Sequence, residues 1–100
     1  MPRSAHNPAH ALTEQAERDR DDVLAAFGKT VREHREARSL TIEELAERST
    51  LHASYVGQVE RGTRNLSLFN VWRLACGLEL SPTLLMDGLP RGMRKPRSAR

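Results

Sequence analysis

Residues 54–65 read SYVGQVERGTRN. Tyr55, Val56 and Val59 share one face of a helix, while Ser54, Gly57 and Gln58 leave the opposite side small or polar. A helix held from behind by valines, with so bare a front, can lie against another surface along its length. A shorter helix precedes it. Thr41 caps IEELAER, with Glu43 and Glu44 in the first turn and Arg48 in the last, as the helix dipole favours. Leu45 and Ala46 point inward, and the break from Ser49 to His52 joins the two helices. This pairing has a physical use. The major groove of B-DNA is about 12 Å wide and admits one α-helix. That helix must be anchored by its inner face, here Leu51, Val56 and Val59, and carry polar side chains of limited reach outside.

The remaining elements follow from the same periodicity. Leu24, Phe27 and Val31 form an apolar stripe that predicts a first helix over 21–38, with Thr13 or Asp19 as an earlier N-cap. Residues 1–12 hold two prolines and two histidines without periodicity and are expected to form a disordered arm. Gly62 ends the quoted helix, and Thr63 to Leu66 form a loop. Ser67 then caps a helix carrying Leu68, Val71, Leu74, Ala75 and Leu78. Ser81-Pro82 opens a fifth helix, from Thr83 to about Asp87, which Gly88 and Pro90 stop. No stretch alternates like a strand. The expectation is an all-α fold, one compact five-helix domain over 13–88, followed by a flexible basic tail over 89–100.

Composition sets bounds on function. Apolar residues make up 38% of the 100 and aromatics 4%, so the core is modest and a second copy would help to stabilise it. No apolar run approaches the roughly 20 residues of a membrane span. The first ten residues lack an apolar export signal, and the single cysteine, Cys76, excludes an internal disulfide, so a cytoplasmic protein is expected. Residues 91–100 hold five cations and no acid, whereas the other ninety carry 11 basic and 13 acidic groups, a net of −2. Such a tail suits nucleic acid; a solubilising end is the alternative reading. Four histidines and one cysteine at unrelated spacings give no metal site, and no nucleophile and base converge. Neither an enzyme nor a cofactor is indicated, and no small-molecule ligand is evident.

From Phe27 to Met86 the chain resembles the helix-turn-helix domain of the lambda-repressor and Cro family, the XRE-type regulators. The matching stretches are FGKTVREHR, LTIEELAERS, LHASYVGQVERGTRNLSL and LACGLELSP. Within that family, Leu51-His52 before the second helix of the motif and Asn65-x-Ser67-Leu68 after it are similar to the controller proteins of restriction–modification systems. The resemblance implies that Leu45, Ala46, Leu51, Val56 and Val59 lock the two helices together. Ala53, Ser54, Gly57 and Gln58 face outward and form the DNA-facing side; the resemblance implies that Ser54, Gly57 and Gln58 reach bases and that Arg61, Thr63, Arg64 and Asn65 lie in a loop that meets phosphate. The chemistry is compatible: Gln58 can pair bidentately with adenine, and arginines grip the backbone without reading sequence. Glu60 is expected to be structural, paired with Arg35 of the first helix.

Some residues depart from the family pattern. Ile42 stands where glutamine is usual, Thr50 and Ser39 where glycine is usual, His34 where a core leucine is usual, and Ala53 where a longer polar residue is common. Leu84, Leu85 and Met86 are consecutive and cannot all face one small core. With Leu80 and Trp72 they are expected to form an apolar patch that pairs with a second copy, although Leu84 could instead pack under residues 12–24. The expected function is a sequence-specific regulator that binds double-stranded DNA as a homodimer on a pseudo-palindromic operator. An antitoxin-like module that binds a partner protein is the alternative, and a tail-driven architectural or RNA-binding role is a third.

Overall fold

The computed structural model describes residues 8–93, with side chains from Thr13 onward; the tail cations Arg94, Lys95, Arg97 and Arg100 lie outside the described residues. Among those residues every regular element is a helix: α1 (Pro8–Ala37), α2 (Ile42–Ser49), α3 (Ala53–Glu60), α4 (Leu68–Leu78) and α5 (Pro82–Met86). The all-α expectation holds, and α2 and α3 meet across the three residues Thr50, Leu51 and His52. The start of α1 differs from the sequence reading. It begins at Pro8, inside the segment expected to be an arm, because proline fits a first helical turn where no N–H partner is needed. Alanine, glutamate and glutamine then carry the helix forward without an apolar stripe.

Phe27 and Val31 of α1, Leu45 and Ala46 of α2, Val56 and Val59 of α3, and Val71, Leu74, Ala75 and Leu78 of α4 form one buried cluster, closed by Leu40 and Leu85. Leu85 is 0% exposed, which removes it from any surface patch. Leu80 is half-buried against the same cluster. Ile42 also packs there, so it serves the core rather than the surface. His34 sits half-buried at the rim, its Nδ1 3.4 Å from Arg38 Nη1, and not inside.

The helices start and stop for local reasons. At α2 a capping box forms: Glu44 N–H donates to Thr41 Oγ1 at 3.0 Å, and Thr41 N–H donates to the Glu44 carboxylate at 2.8 Å. The bond from the Thr41 N–H holds the Glu44 pKa below its ordinary value. A lowered folded-state pKa means that its contribution is present at neutral pH and fades as pH falls through the carboxylate range. The first four helices each end on a residue in the left-handed region: Ser39, Thr50, Gly62 and Glu79, with φ of 56°, 58°, 75° and 58°. In each case the next N–H reaches back five residues, as Leu40 to Arg35, Leu51 to Ala46, Thr63 to Gln58 and Leu80 to Ala75. These are Schellman endings, in which an apolar residue after the turn folds back onto the helix. Leu40, Leu51 and Leu80 hold that position, which accounts for the inward lean of Leu80.

Two contacts on one face of α1 fix the far end of α3. At Gly28 a side chain would run into the carbonyl oxygens of Val59 and Glu60, so only glycine lets the backbones approach. Two turns later Arg35 Nε and Nη2 donate to the two Glu60 carboxylate oxygens at 2.6 and 3.0 Å. The Arg35 and Glu60 side chains are 12% and 5% exposed. Arg35 Nη1 also donates to the Leu40 carbonyl at 2.8 Å, at the entrance to α2. The Glu60 hydrogen bond outweighs desolvation and holds the guanidinium pKa above its ordinary value.

Two stability tests follow from these contacts. Thr50→Gly relieves a β-branched residue of a left-handed φ and should raise stability by about 1 kcal/mol, or roughly 4–8 °C in Tm. A lower Tm would mean that the threonine side chain contributes more than its backbone costs. Glu60→Ala leaves a buried guanidinium without its acid and should cost about 3–5 kcal/mol in urea unfolding; a loss under about 1 kcal/mol would show that the pair is not a constraint.

Candidate nucleic-acid interface

With its rear fixed by Val56, Val59 and Glu60, α3 turns its other side outward. Ser54 is exposed and Gln58 half-exposed, one turn apart on the same face. They open into a shallow recess of about 390 Å³ lined by Thr50, Leu51, His52, Ser54, Tyr55, Gln58, Arg64, Asn70 and Arg73. The lining holds two arginines and a histidine but no carboxylate. The only acid of α3, Glu60, is the one folded back onto Arg35.

The rim is organised from two directions. Arg64, from the loop after α3, places its guanidinium 5.1 Å from the centre of the Tyr55 ring, a cation–π contact. Asn70 Nδ2 of α4 donates to Tyr55 Oη at 2.9 Å, which fixes the ring against the recess. The Asn70 N–H is itself held by Ser67 Oγ at 3.1 Å, the N-cap of α4. From one turn further along α4, Arg73 Nη1 donates to the Thr50 carbonyl at 3.3 Å.

Of the residues expected at this surface, the structure gathers Ser54, Gln58 and Arg64 in the recess. Ala53 lies outside its lining, half-buried with its methyl on the core. Gly57 is buried rather than bare, because the Arg61 guanidinium folds over it, 3.3 Å from where a Cβ would stand. Arg61 and Thr63 are exposed, and Thr63 Oγ1 donates to the Gln58 carbonyl at 3.1 Å, tying down the corner after α3. Asn65 faces elsewhere, lining a groove between α1 and residues 90–93. The sequence reading missed His52, Asn70 and Arg73. A signal was present for the last two: polar residues three apart in the otherwise apolar helix LFNVWRLACGL.

A second surface is apolar. Leu68, Phe69 and Trp72 are 81%, 56% and 52% exposed, and Pro82 of α5 lies beside them. The Phe69 and Trp72 rings stack with centroids 6.0 Å apart. Leu84 and Met86 are also exposed, unlike Leu85. Among the described residues no helix is long and apolar enough to cross a membrane, and no group of His, Cys, Asp and Glu could hold a metal ion.

Comparison with known proteins places these features. Residues 31–85 match the family described as helix-turn-helix, HTH_3. Control protein C.BamHI of Bacillus amyloliquefaciens is 37% identical over 68 residues, covering 67% of this chain and 84% of that protein. Control protein C.SmaI of Serratia marcescens is 42% identical over 65 residues, covering 64% and 77%. The crystal structure of the restriction–modification controller protein C.AhdI from Aeromonas hydrophila superposes with a TM-score of 0.61 at 50% identity, over 62% of this chain and 94% of that one. The chain belongs to the Cro-like helix-turn-helix family of DNA-binding transcription regulators, and its homologues there are restriction–modification controller proteins.

Proposed function

We propose that this protein binds double-stranded DNA sequence-specifically as a homodimer and controls transcription of restriction–modification genes from a pseudo-palindromic operator. The observation that carries this reading is the free face of α3. It presents an amide and a hydroxyl from a carboxylate-free recess with arginines in its wall, a surface matched to base edges flanked by phosphates. In this reading Gln58 and Ser54 meet base edges. Arg64, with Arg61 and the exposed loop residue Thr63, meets the backbone, and Asn65, which lines the groove beside α1, is left out of the contact. Ala53, packed on the core, and Gly57, covered by Arg61, make no contact of their own. The protein works in the cytoplasm, where its operator lies.

Dimerisation is supported by the apolar surface of α4 and α5. Leu68, Phe69 and Trp72, with Leu84 and Met86, expose more large apolar side chain than a lone domain of this size keeps in water. A two-fold axis through that surface pairs the patch with itself. The two copies of α3 would then enter successive major grooves about 34 Å apart.

Selection of bound sites from random duplexes tests the whole reading. The expected product is a pair of inverted half-sites one helical turn apart; recovery of unselected sequence would refute it. Against the selected duplex, Gln58→Ala should lose about 1–3 kcal/mol of discrimination at one base pair. Arg64→Ala should weaken selected and scrambled duplexes alike. A uniform loss for Gln58→Ala would remove its assigned role. Trp72→Glu should leave the fold intact and convert the dimer to a monomer in sedimentation equilibrium; a dimer that persists would place the interface elsewhere.

A further inference from the structure

We propose that Arg73 is a phosphate-binding residue of the DNA interface, carried on α4 rather than on the helix-turn-helix and held ready before DNA arrives. The proposal rests on the reading of the recess as the DNA-facing surface.

The charge distribution around the motif motivates it. The first turn of α2 offers no cation: Ile42 is packed on the core, Glu43 and Glu44 follow, and Arg35, bonded to the Leu40 carbonyl just before it, is committed to Glu60. A phosphate approaching that edge meets negative charge. Cationic grip on the recess must come from elsewhere, and its lining contains only Arg64, Arg73 and His52 as candidates. Arg64 reaches in from the loop after α3, and Arg73 from α4 beside Thr50, at the turn that leads into α3.

Arg73 is prepared for this role in three ways. Its guanidinium lies 4.3 Å from the centre of the Phe69 ring, and that ring is stacked on Trp72. Its Nη1 donates to the Thr50 carbonyl. Together these contacts fix the plane of the fork and remove much of the rotamer entropy that binding would otherwise cost. A guanidinium has five N–H donors, so one bond to Thr50 leaves most of the fork for a ligand. No carboxylate pairs with Arg73 among the described residues, in contrast to Arg35, whose charge is committed to Glu60. A planar donor array over an aromatic ring, half-buried and without a counter-ion among the described residues, suits a phosphate oxygen pair. Its place on the rim, off α3, assigns it to the backbone and not to a base edge.

The simpler role for Arg73 is to tie α4 to the last turn of α2 through the Thr50 carbonyl, and the two roles separate experimentally. Arg73→Gln removes the charge and, being two bonds shorter than the Nη1 that reaches that carbonyl, gives up the tie as well, so its melt reads the structural role and its salt slope reads the charge. Arg73→Lys keeps the charge and loses the planar stack. Affinity of each for the selected duplex and for a scrambled duplex is measured between about 50 and 200 mM salt, with a thermal melt of each protein alone. Arg73→Gln is expected to bind both duplexes about tenfold more weakly at the low end. The slope of log K against log salt should be shallower by about 0.9, and Arg73→Lys should restore it. A full slope for Arg73→Gln, whatever happens to Tm, would overturn the proposal and leave the structural tie. If the wild-type protein bound neither duplex, the DNA-binding reading itself would fail, and this assignment with it.

Discussion

The Arg35–Glu60 ion pair is the constraint on which the arrangement depends. Glu60 is the last residue of α3, and Arg35 lies in the last turn of α1. One guanidinium grips both oxygens of that carboxylate and the Leu40 carbonyl just before α2. It therefore fixes the end of one helix of the motif and the beginning of the other against a common support. Gly28, two turns earlier, lets the α3 carbonyls rest on the α1 backbone. The pair has a second consequence. It takes the only acid of α3 out of solvent and neutralises it, so the outward face carries no negative charge. A lysine in place of Arg35 would give up the fork geometry that makes three bonds from one side chain.

Helix α4 joins the separate parts of the molecule. Val71, Leu74, Ala75 and Leu78 fill the core, Asn70 and Arg73 face the recess, and Phe69 and Trp72 stand on the apolar surface. The stack from Trp72 through Phe69 to Arg73 is continuous. A partner seated on the Trp72 side would thus steady a side chain on the recess side. This is a short physical route by which assembly of two copies could favour DNA binding without any change of fold.

Much of this was legible in the sequence because its causes are local. Caps at Thr41 and Ser67, the glycine stop at Gly62 and the 3.6-residue spacing of valines and leucines placed α2, α3 and α4 to within a residue or two. The Arg35–Glu60 pair was legible from the position of Glu60 near the end of its helix. What escaped depends on tertiary packing. In LLM at residues 84–86, periodicity cannot choose a buried residue within a five-residue helix, and the structure chose Leu85. Gly57 looked open until Arg61 was seen to cover it. Arg73 and Asn70 became site residues only when α4 was packed beside the motif. The left-handed endings at Ser39, Thr50 and Glu79 show a different limit, since packing of the following leucine holds a conformation that the residue itself disfavours.

The central claim is that α3, fixed from behind, presents its free face to DNA. The most direct measurement is an amide chemical-shift map of the protein titrated with its selected duplex. The expected result is a cluster of changes over residues 50–58 and around Arg64 and Arg73, with residues 13–30 quiet. Changes confined to residues 13–30 or 82–93, with the amides of α3 unmoved, would contradict it.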